Sequence, residues 1–424
     1  MKSGAMAAIL CGLAAGASAQ PTITFLPVGY IISDMSADGT VGCGNLIGPY
    51  ETFIWTEAAG PVLLGRATVP IIGTGAGSPD ISYDGTIISA TIIDDTLSFA
   101  TPGVWSEGIW QAALPPTGPN GINLDSSLGS AWGLSGDGQT LTGFYWRNPG
   151  KAQPMTWTNE GGVVALPVDA NRSARVNGAN YDGSVVVGWE ERADGAWQST
   201  VWRNGVKTRL FETEAFAGAE QVTADGSTIV GQSINGATRK AAIWRWNGTS
   251  YDQELLPLLP GTAVGFGQAG ALGVTDDGAT VVGFNIYAFQ PFSLGDGWIW
   301  TAETGMIEAE DYIASLGLSL PPNFDVSAFS GISADGSTIF GSGISTITGL
   351  DQSFIIRLTD PCDPDGCLAD WDGTGGAPNS SDFLAYLNAW SVQDACADLA
   401  PAGGDGAWDS SDFLAFLNAY SMGC

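Results

Sequence analysis

Between residues 25 and 358 one pattern of apolar and polar positions recurs seven times. An apolar residue is followed by Ser, Thr or Asn, then any residue, then Asp-Gly. A short apolar run follows and ends in a small residue. The Asp-Gly pairs begin at Asp38, Asp84, Asp137, Asp182, Asp225, Asp277 and Asp335. Asp-Gly between apolar alternations predicts a hairpin with a two-residue I′ turn, both residues at positive φ. The residue three before each Asp should then face the residue four after it: Met35 with Gly42, Ile81 with Ile88, Leu134 with Leu141, Ala179 with Val186, Val222 with Ile229, Val274 with Val281, and Ile332 with Ile339. Six after the Asp comes Gly44, Ala90, Gly143, Gly188, Gly231, Gly283 or Gly341, which implies close approach of another backbone.

About 20 residues further on, a third strand ends in Trp55, Trp157, Trp202, Trp244 or Trp300. Trp105 and Trp110 compete for this place in the second copy, and Phe354-Ile355-Ile356 fills it in the last. A fourth apolar stretch follows. Four short strands per unit, at a period of about 45 residues, predict an all-β fold: a seven-bladed β-propeller over residues 20–358. The seventh copy stops near Arg357 without a fourth strand. The segment Thr22 to Pro27 resembles one, so the N-terminus is expected to complete the last blade and remove two open edges.

Charge narrows the partners. The 424 residues carry 44 acids against 14 bases, a net charge of −30. Nucleic acid and anionic membrane surfaces are excluded as partners, and divalent cations or cationic partners are favoured. Histidine is absent, which removes the commonest general base and every Ser-His-Asp triad. Lys2, the apolar stretch Ala5 to Gly16 and the small residues Ala17-Ser18-Ala19 read as a signal peptide over residues 1–19. The expectation is a secreted or cell-surface protein with no transmembrane anchor after cleavage. In that oxidising compartment Cys362, Cys367, Cys396 and Cys424 are expected to form two local disulfides, with connectivity open. Cys43 is then a lone thiol buried in a strand.

Composition shifts at residues 359–369, which read as a linker before a module over 370–424. There Ser380 to Trp390 is nearly identical to Ser410 to Tyr420. Both segments predict helices, with apolar stripes of Phe383, Leu384, Tyr386, Leu387 and Trp390, and of Phe413, Leu414, Phe416, Leu417 and Tyr420. Ser and Asp at each start supply N-caps. The Asp, Gly and small residues before each helix are the materials of a calcium loop.

Two resemblances follow from these residues. Ser333 to Gly341, with the later Ile-Trp of strands such as Ile243-Trp244, resembles the HAF-type bacterial extracellular repeat. That resemblance implies a secreted repeat scaffold without a defined activity. The paired loop-helix units look like a dockerin of the first type, EF-hand-like, and Gly423-Cys424 resembles its GC-type variant. The dockerin resemblance implies Ca2+ ligands at Asp370, Asp372, Thr374, Asn379 and Asp382, and at Asp398, Asp405, Asp409 and Asp412. It also implies contact of Ser380, Ser381, Ser410 and Ser411 with a cohesin-like protein or a cell-envelope component. The first loop is one residue longer than the family's, and the second is three longer.

The remaining signals bear on chemistry. Turn geometry accounts for the seven aspartates without calcium or a glycosidase-type Asp box. The repeating tryptophans read as core. Trp132, Trp189 and Trp197 lie off the repeat and are the better candidates for stacking on sugar. Glu190-Glu191 and Glu212, Glu214 and Glu220 also break the repeat. Paired carboxylates run glycoside hydrolysis, but a charged loop on one face of the fold is the commoner explanation. The ten arginines read as thinly spread. The sequence therefore favours a non-catalytic binding scaffold with no catalytic residue assigned, and polysaccharide is one ligand class. The alternative is a glycan-active propeller enzyme carrying a dockerin.

Overall fold

A computed structural model describes residues 21–47, 51–67, 77–93, 100–113, 129–147, 150–210, 217–235, 238–288, 292–358, 368–371, 378–391, 397, 399 and 408–422. The predicted signal peptide, most of the predicted linker, and Cys362, Cys367, Cys396 and Cys424 lie outside the described residues. Contacts divide the chain into two compact units, one of which is Pro21–Leu358. Among the described residues no helix is long and apolar enough to cross a membrane.

Pro21–Leu358 is mostly β, with the architecture of a β-propeller. Consecutive strands pair antiparallel into four-stranded sheets. The third sheet runs Gly129–Leu134, Leu141–Arg147, Lys151–Thr158, Gly162–Ala165, and the fourth Ala174–Ala179, Val185–Glu191, Trp197–Arg203, Val206–Arg209. The strands of the fifth and sixth copies are joined by one parallel bridge, Arg239 to Gln268, into a single eight-stranded sheet. The last sheet is completed from the other end of the unit, as expected. Thr22–Phe25 pairs antiparallel with Asp351–Arg357, Thr22 facing Arg357 and Phe25 facing Phe354.

All seven predicted cross-turn pairs form, from Met35 with Gly42 to Ile332 with Ile339. The turn itself differs from the expectation. Positive φ belongs to the glycines, at 65° to 79°, and the described non-glycine residues with positive φ lie elsewhere. A pair three before and four after the Asp leaves six residues between, too many for a two-residue turn. The connection is a longer loop built around a four-residue turn, closed by Gly39 N–H to Ser36 O and Ser36 N–H to Val41 O, each 2.8 Å. Asp38 Oδ1 accepts the Ser36 hydroxyl at 2.7 Å and the Thr40 N–H at 2.9 Å, and Ser36 Oγ accepts the Val41 N–H at 3.0 Å. Asn180 and Asp182 build the same network in the fourth copy. A side chain that bonds both ways is needed two before the Asp, which explains why Ser, Thr or Asn stands there.

The turns also bond to one another in sequence. Ala37 N–H donates to Tyr83 O, Tyr83 to Gly136 O, Asp137 to Tyr181 O, and Tyr181 to Ala224 O, at 2.8 to 3.1 Å. Ala224 N–H donates to the Asp276 carboxylate at 2.8 Å. Asp276 N–H then donates to Ala334 O, and Asp335 N–H donates back to Ala37 O at 3.1 Å. The cycle of hydrogen bonds ends where it began.

The small residues six after each Asp have the expected cause. A Cβ on Gly44, Gly143, Gly188, Gly231, Gly283 or Gly341 would strike the carbonyl of the first strand of its own sheet. Those strands bulge there, at Ser33, Trp132, Asn177, Glu220, Leu272 and Ser330. The third-strand tryptophans are core, Trp202 and Trp244 being 1% and 0% exposed. Trp105 takes that place in the second copy, facing Ile88. Cys43 is a buried free thiol in Val41–Leu46.

In the C-terminal unit the two predicted helices form, α2 over Ser380–Ser391 and α3 over Ser410–Met422, after α1 at Ala309–Ser315 in the β unit. Equivalent residues meet: Tyr386 stacks on Phe416 at 4.0 Å, and Phe383 lies edge-on to Phe413. Two details correct the sequence reading. Leu384 and Leu414 are 59% and 57% exposed, outside the stripe. The N-caps are Asn379 and Asp409, not the serines that follow. Asn379 Oδ1 accepts the Ser381 N–H and Asp409 Oδ1 the Ser411 N–H. Asp382 and Asp412 reach back to the N–H of Asn379 and Asp409, both at 2.7 Å, so each helix begins with a reciprocal capping box.

Candidate ligand-binding site

The bulges decide what faces the centre of the β unit. A bulge places two residues opposite one and re-aims a side chain. In each copy the residue five before the Asp lines one common cavity: Ser33, Pro79, Trp132, Asn177, Glu220, Leu272 and Ser330. The cavity volume is about 240 Å3. The next position is Gly in four copies, and Asp34, Asp80 and Gln221 in the others. Those three side chains reach to the neighbouring copy. Asp34 Oδ2 accepts the Ile81 N–H at 3.0 Å, Asp80 Oδ2 the Leu134 N–H at 2.9 Å, and Gln221 Oε1 the Val274 N–H at 2.8 Å. Asp34 and Asp80 also hydrogen-bond each other. Burial pushes both carboxyls above their ordinary range, Asp80 well above, which favours a proton shared between them. At the turn end, Tyr83 crosses the ring to donate its hydroxyl to Asp276 at 2.9 Å and packs edge-on against Tyr181.

At the other end, the fourth copy departs from the repeat. Seven residues before the Asp stand Ile31, Gly77, Ser130, Gly218, Gly270 and Ala328 in six copies, and Arg175 in the fourth. The Arg175 guanidinium lies 3.4 Å from the ring centroid of Trp132 and 5.6 Å from that of Trp189. Trp189 stacks on Trp197 at 4.4 Å, with planes 12° apart. The three tryptophans that the sequence set apart are thus gathered around one arginine. Arg175 Nε donates to Asn177 Oδ1 at 2.6 Å, and Asn177 Nδ2 donates to Glu220 Oε2 at 2.9 Å, so Asn177 stands between the cation and the acid. Burial lowers Arg175 to about 10, with Glu220 opposing; burial raises Glu220, with Arg175 opposing.

Arg175, Trp189 and Trp197 wall a second pocket of about 120 Å3 with Phe144, Trp146 and Glu191. Inner strand Ala174–Ala179 runs toward the turn at Asp182, so this pocket sits between the third and fourth sheets, at their far ends. Arg175, which lines this pocket, stacks on Trp132, which lines the central cavity.

Glu190, Glu191 and Glu220 are not in a charged loop. Glu190 and Glu191 end the strand Val185–Glu191, and Glu220 lies on a bulge. Glu190 is 1% exposed and accepts Lys207 Nζ at 2.7 Å, and Lys151 Nζ lies 2.7 Å from Glu191. Glu212 and Glu214 lie outside the described residues. The bases are not thinly spread either. Eleven of the fourteen fall between Arg147 and Arg245, among ten acids, so this stretch is close to neutral in a chain of net charge −30. Aligning the copies on Asp-Gly exposes the site: Arg175 is the arginine at its column, and the column five before the Asp varies from copy to copy. That alignment is a signal the apolar pattern conceals.

In the helical unit Asp370 is half-buried, Asp382 and Asp412 are buried, and Asn379 and Asp409 are exposed. Asp372, Thr374, Asp398 and Asp405 lie outside the described residues. The described candidates are hard-oxygen donors of the kind calcium takes. Each of Asn379, Asp382, Asp409 and Asp412 already gives an oxygen to a capping bond. No three of the described acids gather as a metal cluster. Ser380, Ser381, Ser410 and Ser411 are exposed at the helix starts.

No family model and no curated protein sequence matches the chain. Solved structures similar to it include TolB from Acinetobacter baumannii, with 17% identity, a TM-score of 0.41, and 65% of each chain covered. Here the chain spans just under two thirds of its counterpart. The β-propeller domain of the Trilobed protease from Pyrococcus furiosus has 15% identity and a TM-score of 0.48, covering 77% of this chain and 95% of that one. The β-propeller domain of Cps50 (Swd1) from Myceliophteria thermophila has 10% identity and a TM-score of 0.48, covering 79% and 99%.

Proposed function

We propose that this chain is an exported, non-catalytic binding scaffold: a closed seven-bladed propeller that holds ligand through its third and fourth blades. One observation carries the reading. A repeat kept regular by its turns and its glycines is interrupted in one place by Arg175 between Trp132 and Trp189, with Trp197 stacked beside them. Core packing requires no arginine at a column filled elsewhere by Gly, Ser, Ala or Ile. Aromatic faces beside a fixed donor are the materials of saccharide recognition.

The C-terminal unit is the attachment module in this reading, dockerin-like and dependent on calcium held by Asp370, Asp372, Thr374, Asn379, Asp382, Asp398, Asp405, Asp409 and Asp412. The exposed Ser380-Ser381 and Ser410-Ser411, with the exposed Leu384 and Leu414, give it two equivalent surfaces for a cohesin-like or envelope partner. Equivalent side chains pairing across the two helices support that symmetry.

A second reading, a glycan-active enzyme, has its own observation: Asp34, Asp80 and Glu220 all line the central cavity. Against it, Asp34 and Asp80 spend oxygens on the backbone of neighbouring copies. Incubating the full-length protein with a panel of polysaccharides, and measuring both retention and new reducing ends, separates the two. Retention without new ends is expected. New ends that vanish in Asp80→Asn would replace the scaffold by the enzyme.

A further inference from the structure

The pocket walled by Arg175, Trp189 and Trp197 has two properties that together select its ligand. It holds a cation. Arg175 is 8% exposed, its Nε is committed to Asn177, and the acid beyond, Glu220, is reached through that amide rather than directly. Its walls are also aromatic. Half-buried Trp146 and Trp197 line the pocket beside the stacked Trp189. The lining carboxylate, Glu191, is already neutralised by Lys151 at 2.7 Å and accepts the Ser173 N–H at 3.0 Å.

We infer that this pocket binds a carboxylate-bearing sugar, a uronic acid residue of an acidic polysaccharide. The sugar ring lies against the tryptophans, and its carboxylate takes the Arg175 fork. The charge distribution supports an anion here and nowhere else on the sequence. Eleven of the fourteen bases fall in the stretch from Arg147 to Arg245, which includes the fourth sheet, and the remainder of the chain is strongly acidic. An anionic polymer is repelled by most of this molecule and tolerated by this sector. A planar guanidinium recognises a carboxylate in two-point fashion, which a neutral hydroxyl does not reproduce.

The inference rests on the binding-scaffold reading and is separable from it. Full-length protein is titrated calorimetrically with trigalacturonate, with cellotriose as the uncharged counterpart and with sodium acetate as the free anion. Trigalacturonate is expected to bind and to weaken as NaCl is raised, cellotriose at least about tenfold more weakly. Arg175→Gln should weaken trigalacturonate by about tenfold or more. Trp197→Ala, at a half-buried position that leaves the core intact, should weaken it by a similar factor and remove the ligand-induced change in tryptophan fluorescence. Equal binding of the two trisaccharides, or trigalacturonate binding indifferent to Trp197→Ala, overturns the uronate site while leaving a saccharide scaffold standing. Acetate binding as tightly as trigalacturonate shows an anion site without sugar recognition and also overturns it. If neither saccharide binds, the uronate site is overturned, and cleavage of trigalacturonate ends the scaffold reading itself.

Discussion

At Gly183 the backbone holds φ at +69°, and a Cβ there would collide with the Thr140 side chain of the preceding copy. Gly183→Ala therefore meets both a left-handed backbone and a steric clash. It should cost about 1–2 kcal/mol from the backbone alone, read as a lower midpoint in urea denaturation. Asp80 is a residue whose charge works against the fold. Burial raises its carboxyl well above 3.8, and that of its partner Asp34 as well. The folded state thus keeps a proton that the unfolded chain loses above about pH 4, and stability falls as pH rises through that window. Asp80→Asn keeps an acceptor for the Leu134 N–H and a donor toward Asp34. It should be more stable than the parent at pH 7 by about 1 kcal/mol or more, with a flatter profile from about pH 4 to 7. Thermal midpoints across that range check the sign; a profile from about pH 4 to 7 as steep as the parent's would overturn it.

Among the elements, the strand Thr22–Phe25 has the largest leverage for its length. It supplies the outer edge of the last sheet, and the chain beside it enters the first. Leu26 N–H donates to Ser353 O at 2.9 Å, and Gln352 Nε2 donates to Leu26 O at 2.7 Å. Leu26 is buried with Ile32, Phe53, Phe340 and Ile355, so one cluster joins the first and last copies. Deleting residues 20–28 should lower the melting temperature and raise amide exchange in both Tyr30–Met35 and Asp351–Arg357. Loss of protection in the first sheet alone would separate the two ends. The first strand of the second sheet shows the reverse case. Pro79 cannot donate to the ladder, and the paired strand shrinks to Asp80–Ile81.

Over the whole molecule, charge and attachment are the properties that matter. The acids outside Arg147 to Arg245 repel anions, while the stretch around Arg175 is near neutral. In the helical unit Tyr386, Phe416 and Trp371 are in mutual contact. Calcium binding is part of the proposed attachment and has its own test. Titrating the full chain with CaCl2 should release heat and raise one of two calorimetric transitions while leaving the other in place. No heat and no shift at millimolar calcium would remove the metal from the proposed attachment.

The strand register, the four-stranded unit and the use of Thr22–Phe25 to finish the last sheet were all legible in the amino-acid order. They depend on local periodicity and on counting what each copy lacks. The helices were legible for the same reason, although their caps fell one residue earlier than the serines, because Asn379 and Asp409 also carry a capping oxygen. The turn type was not legible there. Asp-Gly is shared by the two-residue hairpin and by the longer loop, and only the positive φ of Gly39 with the negative φ of Asp38 separates them. The site needed tertiary structure. Trp132, Arg175 and Trp189 come from different strands, and the bulge at Trp132 turns its ring toward a neighbour 43 residues away in sequence. Period-two alternation assigns a residue to a face. It says nothing of where a bulge reverses that face, or of which copies stand side by side in space.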